Sequence, residues 1–416
     1  MTNPKLRFRS ADGSLFEDWK SVKVGDIAET CGGGTPATGN ASYWGGSIQW
    51  LTPTEINTKY VHSSERTITQ DGLKNSSAKL LPKGAIVLTT RATLGACSIN
   101  NFEGDVCTNQ GFQSLIGKSS VDSEFLYYLV ASKRFQKELE KKASGSTFLE
   151  VSPGNLKKIV VALPCKQEQD RIAQFFSTLD EKIGLAERKL TALQTLKSGL
   201  IQKIFSQEIR FKREDGSDFP IWEKTFLGKV GNLRGRIGFR GYTRADITNK
   251  EEGVIALAPG SISDGHINLE EGTYITRKKY DESPEIKVIK DDILFTKTGS
   301  TVGKIGLVDR GDIEATVNPQ IALITVNKQQ AEAYFVYSYM QSPTAQRYVT
   351  AIVVGGAIPT LSQQELKAMP VPLIDHAEQK DIAHLFLHVD KRIRCSKQKL
   401  LRLKKMKQAF MQQMFV

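Results

Sequence analysis

The chain has 416 residues, of which 40% are hydrophobic and 25% are charged, and its formal net charge is +12. This length exceeds one ordinary hydrophobic core, so we expect two or three domains. The composition excludes a disordered or fibrous protein. The first residues lack the apolar run of a signal peptide, and no stretch is long enough to span a bilayer, so we expect a cytoplasmic protein with no membrane contact.

The positive charge points to an acidic partner such as nucleic acid, but it is unevenly distributed. Residues 1–160 carry 19 basic and 15 acidic side chains, and residues 208–366 carry 20 and 21. Residues 367–416 carry 11 and 4, more than half of the excess. Charge alone therefore supports DNA binding only weakly.

The chain contains an internal repeat. Arg7-Phe8 and Trp19 recur as Arg210-Phe211 and Trp222, and residues 123–205 align without a gap to residues 333–415. That alignment keeps 23 identities in 83 positions, where chance gives about five. Residues 26–122 and 229–332 between the matched flanks are nearly unrelated, apart from two short similarities around Ile86–Thr90 and Asn109-Gln110. This pattern predicts one duplicated architecture that carries two different recognition surfaces.

Each half is predicted to contain the same elements in the same order. The inserts are β-rich, with short branched runs between Gly, Asn and Asp clusters. A helix follows at residues 124–142 and again at 334–349. The runs Ile159–Pro164 and Met369–Ile374 then predict edge strands, because proline cannot complete a central ladder.

A long amphipathic helix is predicted to end each half. Apolar residues fall at heptad spacing in both copies, at positions 179, 183, 186, 190, 193, 200 and 204 and at 389, 393, 400, 403, 410 and 414. We expect the two helices to pack against each other. Lys197 and Lys407 occupy the same seam position, and we expect them to extend their amines into water rather than to set the register.

The duplicated motifs resemble those of Type I restriction-modification specificity subunits over the whole chain. In the first copy the resemblance depends on Pro164-Cys165-Lys166-Gln167-Glu168-Gln169-x-x-Ile172-Ala173 with Asp180-x-x-Ile183. The second copy repeats it as Glu378-Gln379-x-x-Ile382-Ala383 with Asp390-x-x-Ile393. The opening of the first insert also resembles that family, in Gly33-Gly34-Thr35-Pro36, Tyr43-Trp44-Gly45-Gly46 and Ile48-x-Trp50. The second insert departs from this opening, with Arg234-Gly235-Arg236-Ile237-Gly238-Phe239-Arg240-Gly241.

The resemblance implies an α+β fold with two β-rich target-recognition domains, separated by two long helices packed as an antiparallel coiled coil. The boundaries would be 1–160 and 208–366 for the recognition domains and 161–207 and 367–416 for the helices. Each domain would read one half of a bipartite site in double-stranded DNA. Two modification (methyltransferase) subunits would dock on the helices, and restriction (translocase and endonuclease) subunits would join for cleavage. S-adenosylmethionine, ATP and magnesium would belong to these partners, with no cofactor in this chain.

A solitary DNA methyltransferase or nuclease is the main alternative, and its motifs are incomplete. Residues 298–305 resemble a phosphate loop, but Ile305 replaces the magnesium-binding hydroxyl. Asn318-Pro319-Gln320-Ile321 lacks the second proline and the aromatic ring of an amino-methyltransferase tetrapeptide. Glu285-Ile286-Lys287 with Asp264 is a short nuclease-like match. A coiled-coil scaffold without a DNA role is a third class. It accounts for the long helices but gives no function to the two divergent inserts.

Metal and disulfide chemistry is not indicated. The five cysteines are widely spread and form no Cys-x-x-Cys pair, which predicts neither disulfides nor a zinc site. His384 and His388 lie one helical turn apart, but no third ligand is evident. We expect both to be solvated helix residues.

Candidate DNA contacts are polar or aromatic residues near the turns of the inserts, since Arg, Lys, Asn and Gln read base edges and hydroxyls hold phosphates. For Asn109 and Asn318 the alternative is that they cap turns. The candidates are Tyr43, Trp44, Arg91, Thr93, Asn109, Gln110, Arg234, Arg236, Arg240, Arg244, Lys297, Ser300 and Gln320.

Overall fold

The chain forms two compact units in a computed structural model that describes residues 4–91, 93–145, 149–236, 241–263, 265–353 and 359–415. Unit 1 comprises Met1–Glu187 with Gln398–Val416, and unit 2 comprises Arg188–Lys397. The content is mixed helix and sheet, as the α+β prediction requires. The division falls inside both long helices, because Ile201 and Ile204 pack in the core of unit 2 and Met414 and Phe415 pack in that of unit 1.

Unit 1 contains ten strands within the described residues, most of them in the insert. The strands are β1 (Lys20–Lys23), β2 (Ala28–Gly32), β3 (Trp44–Leu51), β4 (Tyr60–Val61), β5 (Arg66–Ile68), β6 (Ile86–Leu88), β7 (Cys97–Asn100), β8 (Val106–Thr108), β9 (Gln113–Gly117) and β10 (Val160–Leu163). The helices are α1 (Val24–Ile27), α2 (Gln70–Lys74), α3 (Ser123–Ala131), α4 (Lys133–Lys141) and α5 (Pro153–Lys157), and the long α6 (Lys166–Phe205) begins in this unit.

Unit 2 repeats this order. Its strands are β11 (Glu223–Phe226), β12 (Gly231–Gly235), β13 (Val254–Leu257), β14 (Ile262–Ser263), β15 (His266–Ile267), β16 (Gly272–Ile275), β17 (Ile293–Thr296), β18 (Ile305–Leu307), β19 (Ala315–Val317), β20 (Ile321–Val326) and β21 (Pro370–Leu373). Its helices are α7 (Leu227–Val230), α8 (Arg277–Asp281), α9 (Ala333–Met340), α10 (Pro343–Ile352), α11 (Gln363–Lys367) and the long α12 (His376–Met414).

The inserts share the order of their main strands although their sequences are nearly unrelated. The strands β2-β9-β6-β7 correspond to β12-β20-β17-β18, while unit 1 adds β4 and unit 2 has a separate β14-β15 pair. Unit 1 has a sheet in the order β2-β9-β6-β7-β4 and a second sheet β5-β3-β8. Unit 2 has β12-β20-β17-β18 and β16-β13-β19. The pairs β3 with β8 and β13 with β19 are both parallel. The predicted edge strands are confirmed: β10 pairs with β1, and β21 with β11, in two-stranded sheets.

The helices predicted at 124–142 and 334–349 are each two helices. Ser132 has extended backbone between α3 and α4, and its hydroxyl caps α4 by accepting from the backbone N of Phe135. Ser342 does the same before α10, followed by Pro343 in the first turn. The apolar periodicity continues across the break, so the sequence predicted one helix where the structure has two. The break is present in both copies.

The repeated Glu-Gln dipeptide ties the frame of each unit together. Glu168 is fully buried and accepts from Arg7 (Nη2 to Oε2, 2.8 Å) and from Trp19 (Nε1 to Oε2, 2.9 Å). This hydrogen bond to Glu168 is the main cause that raises the pKa of Arg7. Gln169 donates to the Pro164 carbonyl at 3.0 Å and accepts from the Asp122 backbone N at 3.0 Å.

Unit 2 repeats the same contacts with the copied residues. Glu378 accepts from Arg210 at 2.8 Å and from Trp222 at 2.9 Å. Gln379 donates to the Ile374 carbonyl at 3.0 Å and accepts from the Glu332 backbone N at 2.9 Å. The motif that carried the family resemblance therefore has a structural role, because it joins the start of each unit, its strand and its long helix.

Segments of α6 and α12 pack in opposite directions within each unit. In unit 1 the rings of Phe175 and Phe410 are 5.1 Å apart, and Glu187 pairs with Lys404 at 2.7 Å. In unit 2 Leu193 packs with Val389 and Ile393. The predicted seam positions are buried or half-buried in both helices.

The prediction that Lys197 and Lys407 extend their amines into water is wrong. Lys197 Nζ lies 2.9 Å from Asp390 Oδ1, and the two side chains are 14% and 8% exposed. Lys407 Nζ lies 2.5 Å from Asp180 Oδ1. Each amine is held by a carboxylate of the other long helix, so these lysines are polar members of the seam.

Candidate nucleic-acid interface

Asn109 and Gln110 form a tight turn between β8 and β9 in unit 1. The Asn109 side chain accepts from the backbone N of Gly111 at 2.8 Å, so Asn109 caps the turn. The backbone N of Thr90 donates to the Gly111 carbonyl at 2.9 Å, which fixes this turn beside the loop after β6. Gln110 is exposed at the tip, where its amide oxygen accepts from the Thr35 hydroxyl.

The glycine-rich opening of the first insert packs directly against this turn. The backbone N of Gly34 donates to the Thr108 carbonyl at 2.8 Å. A Cβ at Gly33 would lie 1.9 Å from the Asn109 carbonyl oxygen, so only glycine fits. The indole N of Trp50 donates to the Gly34 carbonyl at 2.8 Å. This packing brings Thr35 next to Gln110.

Arg91 and Thr93 are exposed on the loop between β6 and β7. Arg91 Nε lies 3.5 Å from Glu150 Oε2, and both side chains are half exposed. Gln136 of α4 contacts this loop and donates to the Gly95 carbonyl at 3.0 Å. The structure thus brings Arg91, Thr93 and Gln110 to one part of the surface of unit 1.

Trp44 and Tyr43 lie at the start of β3 and are half-buried. The Trp44 ring meets the Trp50 ring edge to face at 5.0 Å. The guanidinium of Arg66 lies 3.8 Å from the centroid of the Trp44 ring. The sequence interpretation missed Arg66, since the pairing of β5 with β3 that places it there leaves no local signal.

Unit 2 builds the same turn from different residues. The Asn318 side chain accepts from the backbone N of Gln320 at 3.1 Å, and the backbone N of Lys297 donates to the Gln320 carbonyl at 2.9 Å. Lys297 and Gln320 therefore correspond in position to Thr90 and Gly111, and Ser300 lies on the loop after β17 as Thr93 lies on the loop after β6. Burial lowers the pKa of the Lys297 amine. Both asparagines are turn caps, so their side-chain oxygens are occupied.

Two predicted arginines of unit 2 are engaged inside the protein. Arg236 is 3% exposed, and its Nε donates to the Val317 carbonyl at 3.0 Å. Arg234 donates to the Glu285 carbonyl at 2.6 Å and to the Thr325 hydroxyl. The burial of Arg236 gives it a structural role in unit 2, because its donors satisfy buried acceptors. The Arg234 side chain is 23% exposed, and its contact with DNA stays a prediction. Arg244 is exposed, and Arg240 lies outside the described residues.

The segment that resembles a phosphate loop forms ordinary structure, and Asp264 of the nuclease-like match lies outside the described residues. Residues 298–304 form the turn between β17 and β18 rather than a loop before a helix. His384 and His388 are exposed on α12, as expected. Within the described ranges, no three His, Cys, Asp or Glu residues are grouped to hold a metal ion, and no helix is long and apolar enough to cross a membrane. All five cysteines are free.

A family model described as the Type I restriction modification DNA specificity domain matches residues 16–195 and 221–405. The specificity subunit of the MjaIX enzyme from Methanocaldococcus jannaschii is 36% identical over 238 residues, covering 54% of this chain and 55% of that protein. The chain therefore aligns with about half the length of that relative. The MjaVIII specificity subunit of the same organism is 21% identical over 95% of this chain and 91% of its own length.

Solved structures share the fold. The S subunit of a Type I restriction-modification system from M. genitalium is matched over 100% of this chain and 99% of its own, with a TM-score of 0.61 and 16% identity. A chain from a structure on complex assembly in the Type I system gives a TM-score of 0.56 at 17% identity, covering 95% and 96%.

The two repeated units, each with a conserved frame and a divergent insert, and the family model that matches both repeats define a protein of the DNA-recognition class. The chain belongs to the Type I restriction-modification DNA specificity family, whose model matches both repeats.

Proposed function

We propose that this chain is the sequence-reading subunit of a Type I restriction-modification complex and that each unit reads one half of a bipartite DNA site. One observation carries the proposal: the inserts share the order of their main strands and their turn contacts while their exposed side chains differ. A fold kept under two unrelated surfaces fits two readers of different sequences.

The candidate contacts divide into two groups by chemistry. Arg91, Thr93 and Gln110 in unit 1 and Lys297, Ser300 and Gln320 in unit 2 lie at equivalent turns and offer donors to bases or phosphates. Arg244 adds an exposed cation in unit 2. Asn109, Arg234 and Arg236 hold these turns and strands in position.

The long helices are proposed to form an antiparallel coiled coil that fixes the unread gap between the half-sites and docks two modification subunits. The opposed packing of α6 and α12 segments inside each unit supports this arrangement. S-adenosylmethionine, ATP and magnesium are assigned to the modification and restriction subunits. The complex is proposed to act in the cytoplasm.

Exchange of one insert tests the assignment of half-sites. Residues 229–332 run from α7 to just before α9 and contain the whole insert of unit 2. Replacing them with the equivalent segment of another family member changes one half of the methylated motif and leaves the other half intact. Replacing residues 26–122 is the matched control and changes the opposite half. Sequencing of methylated adenines in cells reads both outcomes. A change in both halves from one exchange contradicts the proposal.

The solitary-enzyme alternative has a separate test. The purified chain is incubated with DNA and labelled S-adenosylmethionine, alone and with its modification subunits. Methyl transfer is expected only in the reconstituted complex, since the catalytic groups are assigned to the partners. Transfer above background by the chain alone would establish the enzyme alternative.

A further inference from the structure

Arg66 is held in a fixed orientation by two tryptophans on the surface of unit 1. It lies on β5 directly opposite Trp50 of β3. Its guanidinium carbon is 3.8 Å from the centroid of the Trp44 ring and 5.4 Å from that of Trp50. The two rings are perpendicular to each other, with centroids 5.0 Å apart. The cation therefore packs on the face of Trp44, while the residue itself is exposed.

This stacking leaves the donors of Arg66 available. A guanidinium carries five N–H donors in a rigid plane, and stacking on a ring face does not use them. Within the part of the chain that the structure describes, no hydrogen bond or ion pair of the Arg66 side chain is found. The stack also removes rotamer freedom before any ligand arrives, which lowers the entropic cost of binding.

The stack is joined to the candidate interface of unit 1. Trp50, which Arg66 overlies in part, donates from its indole N to the Gly34 carbonyl at 2.8 Å. The next residue, Thr35, donates to the amide oxygen of Gln110. The Trp50 side chain and the Gly34-Thr35 segment thus connect Arg66 to the exposed turn.

Unit 2 has no arginine stacked on a tryptophan at the equivalent position. Leu51 accepts from the backbone N of Asn109 at 3.0 Å, as Leu257 accepts from that of Asn318 at 3.0 Å. The strand residue before Leu257 is Ala256, which pairs with Thr273 where Trp50 pairs with Arg66. The same fold therefore presents an oriented arginine in one unit and a threonine in the other.

We propose that Arg66 reads a guanine of the half-site recognised by unit 1, through paired hydrogen bonds to N7 and O6 in the major groove. The inference rests on the function proposed above and names a specificity residue for it. An arginine fork matches those two acceptors, whereas a phosphate is served as well by a flexible lysine. An oriented guanidinium is found in unit 1 and not at the equivalent position of unit 2. This difference fits a contact with a base, because bases differ between the half-sites whereas phosphates are the same in both.

Substitution of Arg66 in the complete methyltransferase complex tests the proposal. Arg66→Gln lowers methylation of sites with that guanine by about 10- to 100-fold and weakens the preference for guanine at one position of one half-site. Arg66→Lys keeps the charge but loses the fork, so it relaxes the same position. Lys83→Gln, which removes an exposed charge paired with Glu103, is the control and leaves the motif unchanged.

Trp44 is a positioning residue in this scheme, and its variants separate positioning from folding. Trp44→Phe keeps a ring face and retains the preference for guanine, whereas Trp44→Leu removes the face and relaxes the same base position as the Arg66 variants. Thermal unfolding of each variant shows whether unit 1 remains folded.

The readout is the methylated motif from cells, together with methylation rates on oligonucleotides that carry each base at each position. Equal loss at all sites with an unchanged motif would mean a phosphate contact and overturns the proposal, as does an unchanged rate for Arg66→Gln and Arg66→Lys. Failure of the unsubstituted complex to methylate a bipartite site would instead overturn the proposed function.

Discussion

Lys197 Nζ lies 2.9 Å from Asp390 Oδ1, and the hydroxyl of Tyr334 donates to the other oxygen of that carboxylate at 2.7 Å. The copied residues make the corresponding bond, Lys407 to Asp180 at 2.5 Å. A repeat that keeps both lysine and aspartate therefore uses each lysine with the aspartate of the other copy. The pairs are polar positions in an otherwise apolar seam, the kind of feature that specifies register.

Removal of the Lys197 amine is expected to destabilise unit 2. Lys197→Met leaves a nearly buried carboxylate without its counter-ion, and we expect a loss of about 3 kcal/mol in the free energy of unfolding. Urea titration measures it. Lys404→Met, at the exposed pair with Glu187, is the control and costs less than about 1 kcal/mol. Equal effects at the two positions contradict the argument from burial.

Glu378→Gln is expected to loosen the start of unit 2. Glu378 is fully buried between Arg210 and Trp222, so loss of its charge leaves Arg210 less well satisfied, at a cost of about 2 to 3 kcal/mol. Glu168→Gln makes the same change in unit 1 and serves as the matched control. Amide hydrogen exchange of residues 208–226 rises in the first variant only. Increased exchange in both units from one substitution disagrees with the local network.

Arg236→Met is expected to affect folding without altering the base preference of unit 2. Its guanidinium donates to the Val317 carbonyl and to the Thr316 hydroxyl at 3.1 Å inside the unit. Loss of these bonds leaves buried acceptors unpaired and costs about 2 kcal/mol. The melting temperature falls, and the methylated motif of the folded fraction stays the same. A changed half-site with unchanged stability would restore Arg236 as a DNA contact.

His266 predicts a dependence of stability on pH. Burial first, and then the charge of Arg394, lowers the pKa of His266 from its ordinary value of 6.5. The unfolded chain takes up a proton near that value while the folded chain stays neutral to lower pH, so the stability of unit 2 falls as the pH drops below about 6.5. His266→Gln flattens this dependence between about pH 7.5 and about pH 5.5, measured by urea titration. The exposed His384→Gln is the control. An unchanged slope in the first variant refutes the assignment.

Lengthening α6 tests whether the helices set the gap. Four residues inserted after Leu193 add about 6 Å and rotate the following segment by about 40°, which a heptad seam can absorb. The folded variant is expected to methylate the same two half-sites with the gap enlarged by about one or two base pairs. Methylome sequencing reads the gap directly, and the same gap in the variant means that these helices do not set it.

The sequence by itself determined the duplication, the long helices and the edge strands, because identities at constant offsets and apolar periodicity can be counted along the chain. It also identified the family through Glu168-Gln169 and Glu378-Gln379, although their structural role was not visible. Arg91, Gln110 and Gln320 are exposed, and their contact with DNA stays a prediction.

Only the tertiary structure decided which polar residues are free and which are occupied. Arg236 and Arg66 are both arginines of an insert, but one satisfies a buried carbonyl and the other stacks on Trp44. The sequence predicted that the Lys197 amine is solvated. In the structure it pairs with Asp390, a residue distant in sequence. Hydrogen-bond partners of this kind come from strands and helices far apart in the chain, so local sequence cannot specify them.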